Sequence, residues 1–277
     1  MLKQRILTAL LLLAVLLPAL FHADPVLFCA LTLALISAAG WEWGRLNGLG
    51  FVPALVCGLG LGLVLGLAWW QFGLSVALPW LWQAAGAFWG LATVLLLRAG
   101  VPGWPLIPRA MRLLIGLFLI GLAWWALAQA RVEGVPLLLS IMALVWTADS
   151  AAYFGGRAFG RRKLAPTISP GKSWAGVYSG ALGVLLLAAL WIWAEQRYGV
   201  LGASLYGRLW AKGPLATLAG LLLLTAMSVC GDLIESLVKR SAGAKDSSQL
   251  LPGHGGVLDR IDALLPVLPL GMLIATL

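Results

Sequence analysis

The sequence predicts an all-α, multi-pass integral membrane protein with about nine transmembrane helices and a cytoplasmic N-terminus. Three observations carry that expectation. Of 277 residues, 61% are hydrophobic and only 10% are charged, whereas a soluble domain carries roughly 25% charged residues. Mean hydropathy is +0.96, too high to clothe a soluble globule of this size. Long apolar stretches recur along the whole chain, and the basic residues fall unevenly between them. The same composition excludes disorder, coiled coil, collagen and a secreted disulfide scaffold.

A helix needs about 20 apolar residues to cross the hydrocarbon core. Stretches near that length run over 6–21, 26–41, 51–70, 74–97, 113–130, 135–154, 174–194, 214–231 and 261–277. The first has Lys3 and Arg5 before it, as a signal peptide would, but its cleavage pattern is poor and further spans follow at once. The second and last are short, and Pro266 interrupts the last, which suits a tilted, re-entrant or interfacial segment.

With the N-terminus inside and nine crossings, Lys3, Arg5, Arg45, Arg98, Arg109, Arg112, Arg157, Arg161, Arg162, Lys163, Lys172, Lys239, Arg240, Lys245 and Arg260 face the cytoplasm. Only Arg131, Arg197, Arg208 and Lys212 face outward, a split of 15 to 4 among the 19 basic residues. Cytoplasmic loops are enriched in Lys and Arg, so this asymmetry supports both the count and the orientation. It also explains the net charge of +9 without a nucleic acid partner. The chain divides into N-terminal transmembrane helices over 1–130 and a C-terminal catalytic region over 131–277, with cytoplasmic loops at about 155–173 and 232–260. Cys29, Cys57 and Cys230 read as small buried hydrophobes, and two histidines, His22 and His254, are too few for a His-based metal site.

Five of the ten acidic residues, Asp232, Glu235, Asp246, Asp259 and Asp262, fall within residues 232–262. Ionisable residues concentrated in a membrane chain mark a functional site by default. Continued as a helix past Cys230, the chain places Asp232, Glu235, Ser236, Lys239 and Arg240 on one face, with Leu233, Ile234, Leu237 and Val238 opposite. Taken alone, that stripe is equally an ordinary solvated helix end with a Glu235–Lys239 pair. Gly253, Gly255 and Gly256 permit close backbone approach to phosphate oxygens, or simply make a turn. Asp259 and Asp262 suit a helix N-terminus equally well. Carboxylates without His or Cys partners suit a hard cation such as Mg²⁺, and with Lys and Arg they describe phosphoryl or nucleotidyl transfer. Asp149 lies within an apolar span, either hydrogen-bonded between helices or partnering the cationic site.

The order Ser236-x-x-Lys239-Arg240, Lys245-Asp246, Pro252-x-His254-Gly255-Gly256, Asp259-Arg260-x-Asp262 closely resembles the signature of the phosphatidate cytidylyltransferases (CDP-diglyceride synthetases). A second stretch is similar too: Asp149-Ser-Ala-Ala-Tyr153, Gly156-Arg157, Gly160, Lys163-Leu-Ala-Pro166 and Ile168-Ser169-Pro170-Gly171-Lys172-Ser173. Ala175 departs from the glutamate found in many members. The resemblance implies a multi-pass membrane homodimer; the lack of a eukaryotic targeting sequence fits a bacterial inner membrane, and the charge asymmetry puts the site on the cytoplasmic side. It implies CTP and phosphatidic acid as substrates, CDP-diacylglycerol and pyrophosphate as products, and Mg²⁺ with a potassium ion near the active site. Asp232 and Asp259 would be the metal ligands. The catalytic set would be Lys239, Arg240, Lys245, Asp246, His254 and Asp262, with Lys172, Ser173, Ser236, Gly255, Gly256 and Arg260 binding substrate. Asp246 and Asp262 are open between ligating metal and orienting the basic residues. Three other readings are a related CTP-dependent lipid enzyme, a transporter and a silent scaffold.

Overall fold

A bilayer offers no water to bond exposed amides, so a chain this apolar must satisfy its backbone within helices. The computed structural model describes residues 2–76, 79–200 and 202–276, apart from the side chains of residues 2, 3 and 5. Lys3 and Arg5, counted above as cytoplasmic, are among those side chains and lie outside the description. The helices are α1 (Leu2–Phe21), α2 (Val26–Leu46), α3 (Phe51–Phe72), α4 (Pro79–Gly103), α5 (Arg109–Glu133) and α6 (Val135–Phe159), followed by α7 (Trp174–Tyr198), α8 (Leu205–Ala211), α9 (Pro214–Ser241), α10 (Leu258–Ile261) and α11 (Leu264–Thr276).

Among the described residues, 7 helices are long and apolar enough to cross a membrane: α2, α3, α4 with the turn that follows it to Leu106, α5, α6, α7 and α9. The first and last of the nine expected segments are shorter. In α1 the apolar part runs Ile6–Phe21. At 13 residues, α11 is about 20 Å long against a hydrocarbon core of about 30 Å. It can be short because it is wrapped by protein: Leu264, Val267, Leu268, Leu270 and Met272 are all buried, against α4, α5, α6, α8 and α9. A helix that is apolar all round belongs inside a bundle.

The expected loop at 155–173 contains a small antiparallel hairpin, β1 (Lys163–Ala165) and β2 (Ser169–Ser173), with Lys163 opposite Ser173 and Ala165 opposite Ser169. It is the only sheet among the described residues. It ends at Ser173, whose hydroxyl accepts the Gly176 amide at 3.2 Å and caps α7. The hairpin therefore hands its last residue directly to the start of a long helix.

The two ends of the bundle carry different cations. At one, Arg109 donates to the Gly48 carbonyl, placing the start of α5 beside the end of α2. At the other, Arg208 pairs with Glu133 at 2.7 Å, and Lys212 donates to the Ile274 carbonyl at 2.8 Å, securing the last turn of α11.

Trp43 locks α2 to α5. It lies edge-on to Trp104 with centroids 5.7 Å apart and donates from Nε1 to the Arg112 carbonyl at 3.1 Å. Its ring occupies the space a side chain at Gly116 would need: a Cβ there would fall 2.0 Å from Trp43 Cε2. Gly116→Ala is expected to cost ~1–3 kcal/mol and lower the thermal midpoint in detergent. Gly60→Ala, where nothing lies within 4 Å, is the matched control and should leave it unchanged. Equal midpoints for the two variants would refute the tight contact.

Candidate active site

Helices α6 and α7 approach closely because small residues face each other. A Cβ at Gly180 would lie 3.0 Å from the Ala148 carbonyl oxygen, and one at Gly176 the same distance from that of Ala152. Between this pair, the hairpin and α9 lies a cavity of about 550 Å³. Asp149, Tyr153 and Arg157 enter it from α6, Lys163, Lys172 and Ser173 from the hairpin, and Thr225 and Asp232 from α9. Lys172 Nζ pairs with Asp232 Oδ2 at 2.6 Å, and Ser236 Oγ, one turn on, donates to Asp232 Oδ1 at 3.2 Å. Lys172 and Ser173 thus meet Asp232 and Ser236, although the sequence separates them by about 60 residues.

A second cluster is held where α9, α10 and the segment between them meet. Lys239 Nζ lies 2.5 Å from Asp259 Oδ1 and also pairs with Glu235. Asp259 Oδ2 accepts the Ser247 amide and hydroxyl, both at 2.8 Å, and the Gly256 amide at 2.7 Å. Burial alone would raise the Asp259 pKa, but the bonds from Lys239, Gly256 and Ser247 outweigh it and hold the carboxyl below its usual value. Asp262, between α10 and α11, moves the other way. Burial and then the nearby Asp232 carboxylate push it well above the ordinary range, and the Ala263 amide offsets this only in part.

The paired glycines have a reason inside the protein. Gly255 has φ +86°, and a Cβ there would sit 2.7 Å from Asp259 Oδ2. At Gly256 a Cβ would meet Ser247 Oγ at 2.1 Å and Glu42 Oε1 at 2.3 Å. The residues at 251–256 fold back tightly, with the Leu251 amide on the Gly255 carbonyl at 2.8 Å.

The stripe expected on one face of 232–240 therefore splits three ways. Asp232 lines the cavity and accepts the Ser236 hydroxyl, Glu235 and Lys239 turn into the bundle, and Arg240 points outward, donating weakly to the Ala244 carbonyl at 3.4 Å. The Glu235–Lys239 pair is present, but buried and extended to Asp259 rather than solvated. Lys245 and Asp246 are exposed on the connecting segment. Arg260 donates to the His254 carbonyl at 2.7 Å, and the His254 ring is half-buried. Arg240, Lys245, Asp246, His254 and Arg260 do not line the cavity in this structure.

Three polar residues escaped the reading of site residues: Glu42, Ser247 and Ser248. Glu42 is wholly buried and accepts the Val257 and Leu258 amides at 2.9 and 2.8 Å and the Ser248 hydroxyl at 2.6 Å. One signal was available, since Glu42 is the only carboxylate between Asp24 and Glu133 and stands at the end of an apolar run.

A largely apolar cavity carrying a Lys172–Asp232 pair beside Arg157 and Lys163, set among membrane-spanning helices, suits an integral-membrane enzyme that handles phosphates. The chain matches the Cytidylyltransferase family over residues 3–277 and belongs to it. Among its relatives, it is 43% identical to the phosphatidate cytidylyltransferase of Pseudomonas aeruginosa over 97% of this chain and 95% of that protein. It is 38% identical to the phosphatidate cytidylyltransferase of Haemophilus influenzae, over 97% and 96% of the two chains. The Brucella suis phosphatidate cytidylyltransferase is 43% identical over 58% of this chain and 53% of its own length.

Lys239 and Arg240 are neighbours in sequence with opposite roles in the structure. Lys239→Met leaves two buried carboxylates without their cation and is expected to destabilise the protein by ~3–5 kcal/mol. Arg240→Met removes an exposed charge and should stay within about 0.5 kcal/mol. Thermal or denaturant unfolding in detergent compares them, and equal losses would contradict the inward placement of Lys239.

Proposed function

We propose that this protein transfers the cytidylyl group of CTP to phosphatidic acid, releasing pyrophosphate and forming CDP-diacylglycerol. The observation that carries the reading is the Lys172–Asp232 pair in a cavity flanked by Arg157 and Lys163, set among membrane-spanning helices. Family membership and relatives named phosphatidate cytidylyltransferase support it.

In the reaction, a phosphate oxygen of phosphatidic acid attacks the α-phosphorus of CTP. The bond from that phosphorus to the β-bridging oxygen breaks, and pyrophosphate leaves with the electron pair. Phosphatidic acid is already an oxyanion near neutral pH, so the protein need not supply a strong base. Its task is to bring two polyanions together. Arg157 and Lys163 stand in the cavity wall with no carboxylate partner among the described residues, so their charge is available to phosphates. Arginine suits a bidentate grip and lysine a movable point charge. Lys172 reaches the same space when it leaves Asp232. Lys239 keeps Asp259 in place, while Arg240, Lys245 and Arg260 lend positive charge to the approach of the nucleotide. The lipid reaches the site sideways between spans, its headgroup already near the required depth.

Asp232 fits a hard cation. It is an oxygen donor facing the cavity, where it is paired with Lys172. Asp259 fits less directly, because its oxygens already accept four contacts, one of them from Lys239. Among the described residues no three His, Cys, Asp or Glu side chains converge as a metal cluster. We therefore propose that Asp232 would hold Mg²⁺ at the cavity, with Asp259 the second ligand that the resemblance implies, its carboxylate kept in place by Lys239. When bound, Mg²⁺ offsets the negative charge of the CTP phosphates. The resemblance also implies a potassium ion and a homodimer, and we assign no residue to either.

We further propose nine crossings with the N-terminus and the site on the cytoplasmic side of a bacterial inner membrane. The supporting observations are the 15-to-4 split of basic residues in sequence and the placement of Arg109 and of the Arg208–Lys212 pair at opposite ends of the bundle. Arg161→Cys should react with a membrane-impermeant maleimide only in inside-out vesicles, and Arg197→Cys only in right-side-out ones. The reverse pattern would overturn the orientation.

The reaction is tested with purified protein, labelled CTP, dioleoyl phosphatidic acid and Mg²⁺. CDP-diacylglycerol should form, vanish with EDTA, and fall by about 100-fold or more in Asp232→Asn. Transfer to a different lipid acceptor, or full activity in Asp232→Asn, would overturn the substrate or the metal assignment respectively.

A further inference from the structure

Glu42 lies near the end of α2, 205 residues from Ser247 and 216 from Leu258, yet it contacts both. Its Oε1 accepts the Ser248 hydroxyl and the Val257 amide, and its Oε2 accepts the Leu258 amide. The Ser247 hydroxyl stands between two carboxylates, 3.2 Å from Glu42 Oε2 and 2.8 Å from Asp259 Oδ2. A hydroxyl has one proton, so only one of the two receives it at a time. The Ser247 amide bonds Asp259 as well. Gly256 completes the arrangement: its amide bonds Asp259, and its missing Cβ leaves room for Glu42.

No basic side chain among the described residues pairs with Glu42. Its charge is met by N–H and O–H dipoles alone. A carboxylate buried at 0% exposure would be costly if those donors were not brought to it. The donors all belong to the segment that carries Asp259. Glu42 therefore acts as the mould against which residues 247–258 set.

We propose that Glu42 is a positioning residue for the transfer reaction, fixing Asp259 through Ser247 and Gly256, and Lys239 through Asp259. The kinetic part of this proposal rests on the cytidylyl-transfer reading above; the structural part does not.

The test uses the full chain in detergent with Glu42→Gln, which turns an amide NH₂ toward groups that are themselves donors. Ser247→Ala cuts the link between the two carboxylates while leaving the Val257, Leu258 and Ser248 bonds intact. Backbone amide exchange across 245–262 is expected to speed up about tenfold or more in both variants, with α6 and α7 unchanged. The Mg²⁺ concentration giving half-maximal activity should rise by about tenfold, while KM for phosphatidic acid stays within about twofold. The double variant should fall no more than about twofold below the worse single one, because both act on one linkage. Unaltered exchange in Ser247→Ala would overturn the proposal, even if Glu42→Gln fails to fold. So would an activity loss that merely tracks the folded fraction, with the Mg²⁺ requirement unmoved. Faster exchange in the variants of a protein that makes no CDP-diacylglycerol would uphold Glu42's hold on the segment and instead sink the transfer reading.

Discussion

A carboxylate drawn into this helix bundle leaves water behind, and Glu42, Glu195, Asp232 and Asp259 are each met by donors brought from elsewhere in the chain. The cost of an unmet charge in such surroundings is several kcal/mol, more than most other local terms. Glu195 is met by the Gly202 and Ser204 amides, which sets the turn into α8. Glu235 and Asp259 share Lys239, which joins α9 to α10. Asp232 takes Lys172, which brings the hairpin against α9. Glu42 takes the whole connecting segment. The packing of apolar faces brings the helices together, but these few acids decide which loop lies on which helix.

The same constraint explains why the site is built from lysine. In the structure, Lys172 and Lys239 each neutralise an acid that a metal or its neighbours would otherwise crowd. A compact ammonium on a flexible stem can leave a carboxylate for a phosphate with little change to the backbone, whereas a planar guanidinium in a bidentate grip resists doing so. With Arg157 and Lys163 unpaired among the described residues, the cavity keeps an excess of positive charge before substrates arrive.

Much of this was legible in the sequence. Hydropathy located each of the long helices, because burying backbone amides in lipid leaves few alternatives to a helix, although it ended α2, α4 and α6 by 5–6 residues too early. The shortness of α11 was not legible, since a segment apolar on every side reads alike whether lipid or protein surrounds it. Nor was the hairpin, whose strands run only 3 and 5 residues, with Pro166 just after the first and Pro170 inside the second. Spacing along α9 put Asp232, Glu235, Ser236, Lys239 and Arg240 on one face, whereas the structure pairs Asp232 with Ser236 and Glu235 with Lys239. It could not show that the two groups part company, because that depends on which side Asp259 approaches. Gly255 and Gly256 were visible as special positions, but the carboxylates that need their bareness, Asp259 and Glu42, belong to tertiary structure. Glu42 was beyond any spacing argument: its partners are more than 200 residues away.

That separation also orders the birth of the protein. A chain emerging at about 5–20 residues per second exposes Glu42 roughly 10–40 seconds before Ser247 exists. Through that interval α2 stands in or near the bilayer with its one acid unanswered, so that end must wait at the wet interface. Only when the last helices enter can the acid withdraw from solvent. The final inward step of assembly and the completion of the site are then a single event, and a nascent chain halted before Ser247 holds neither.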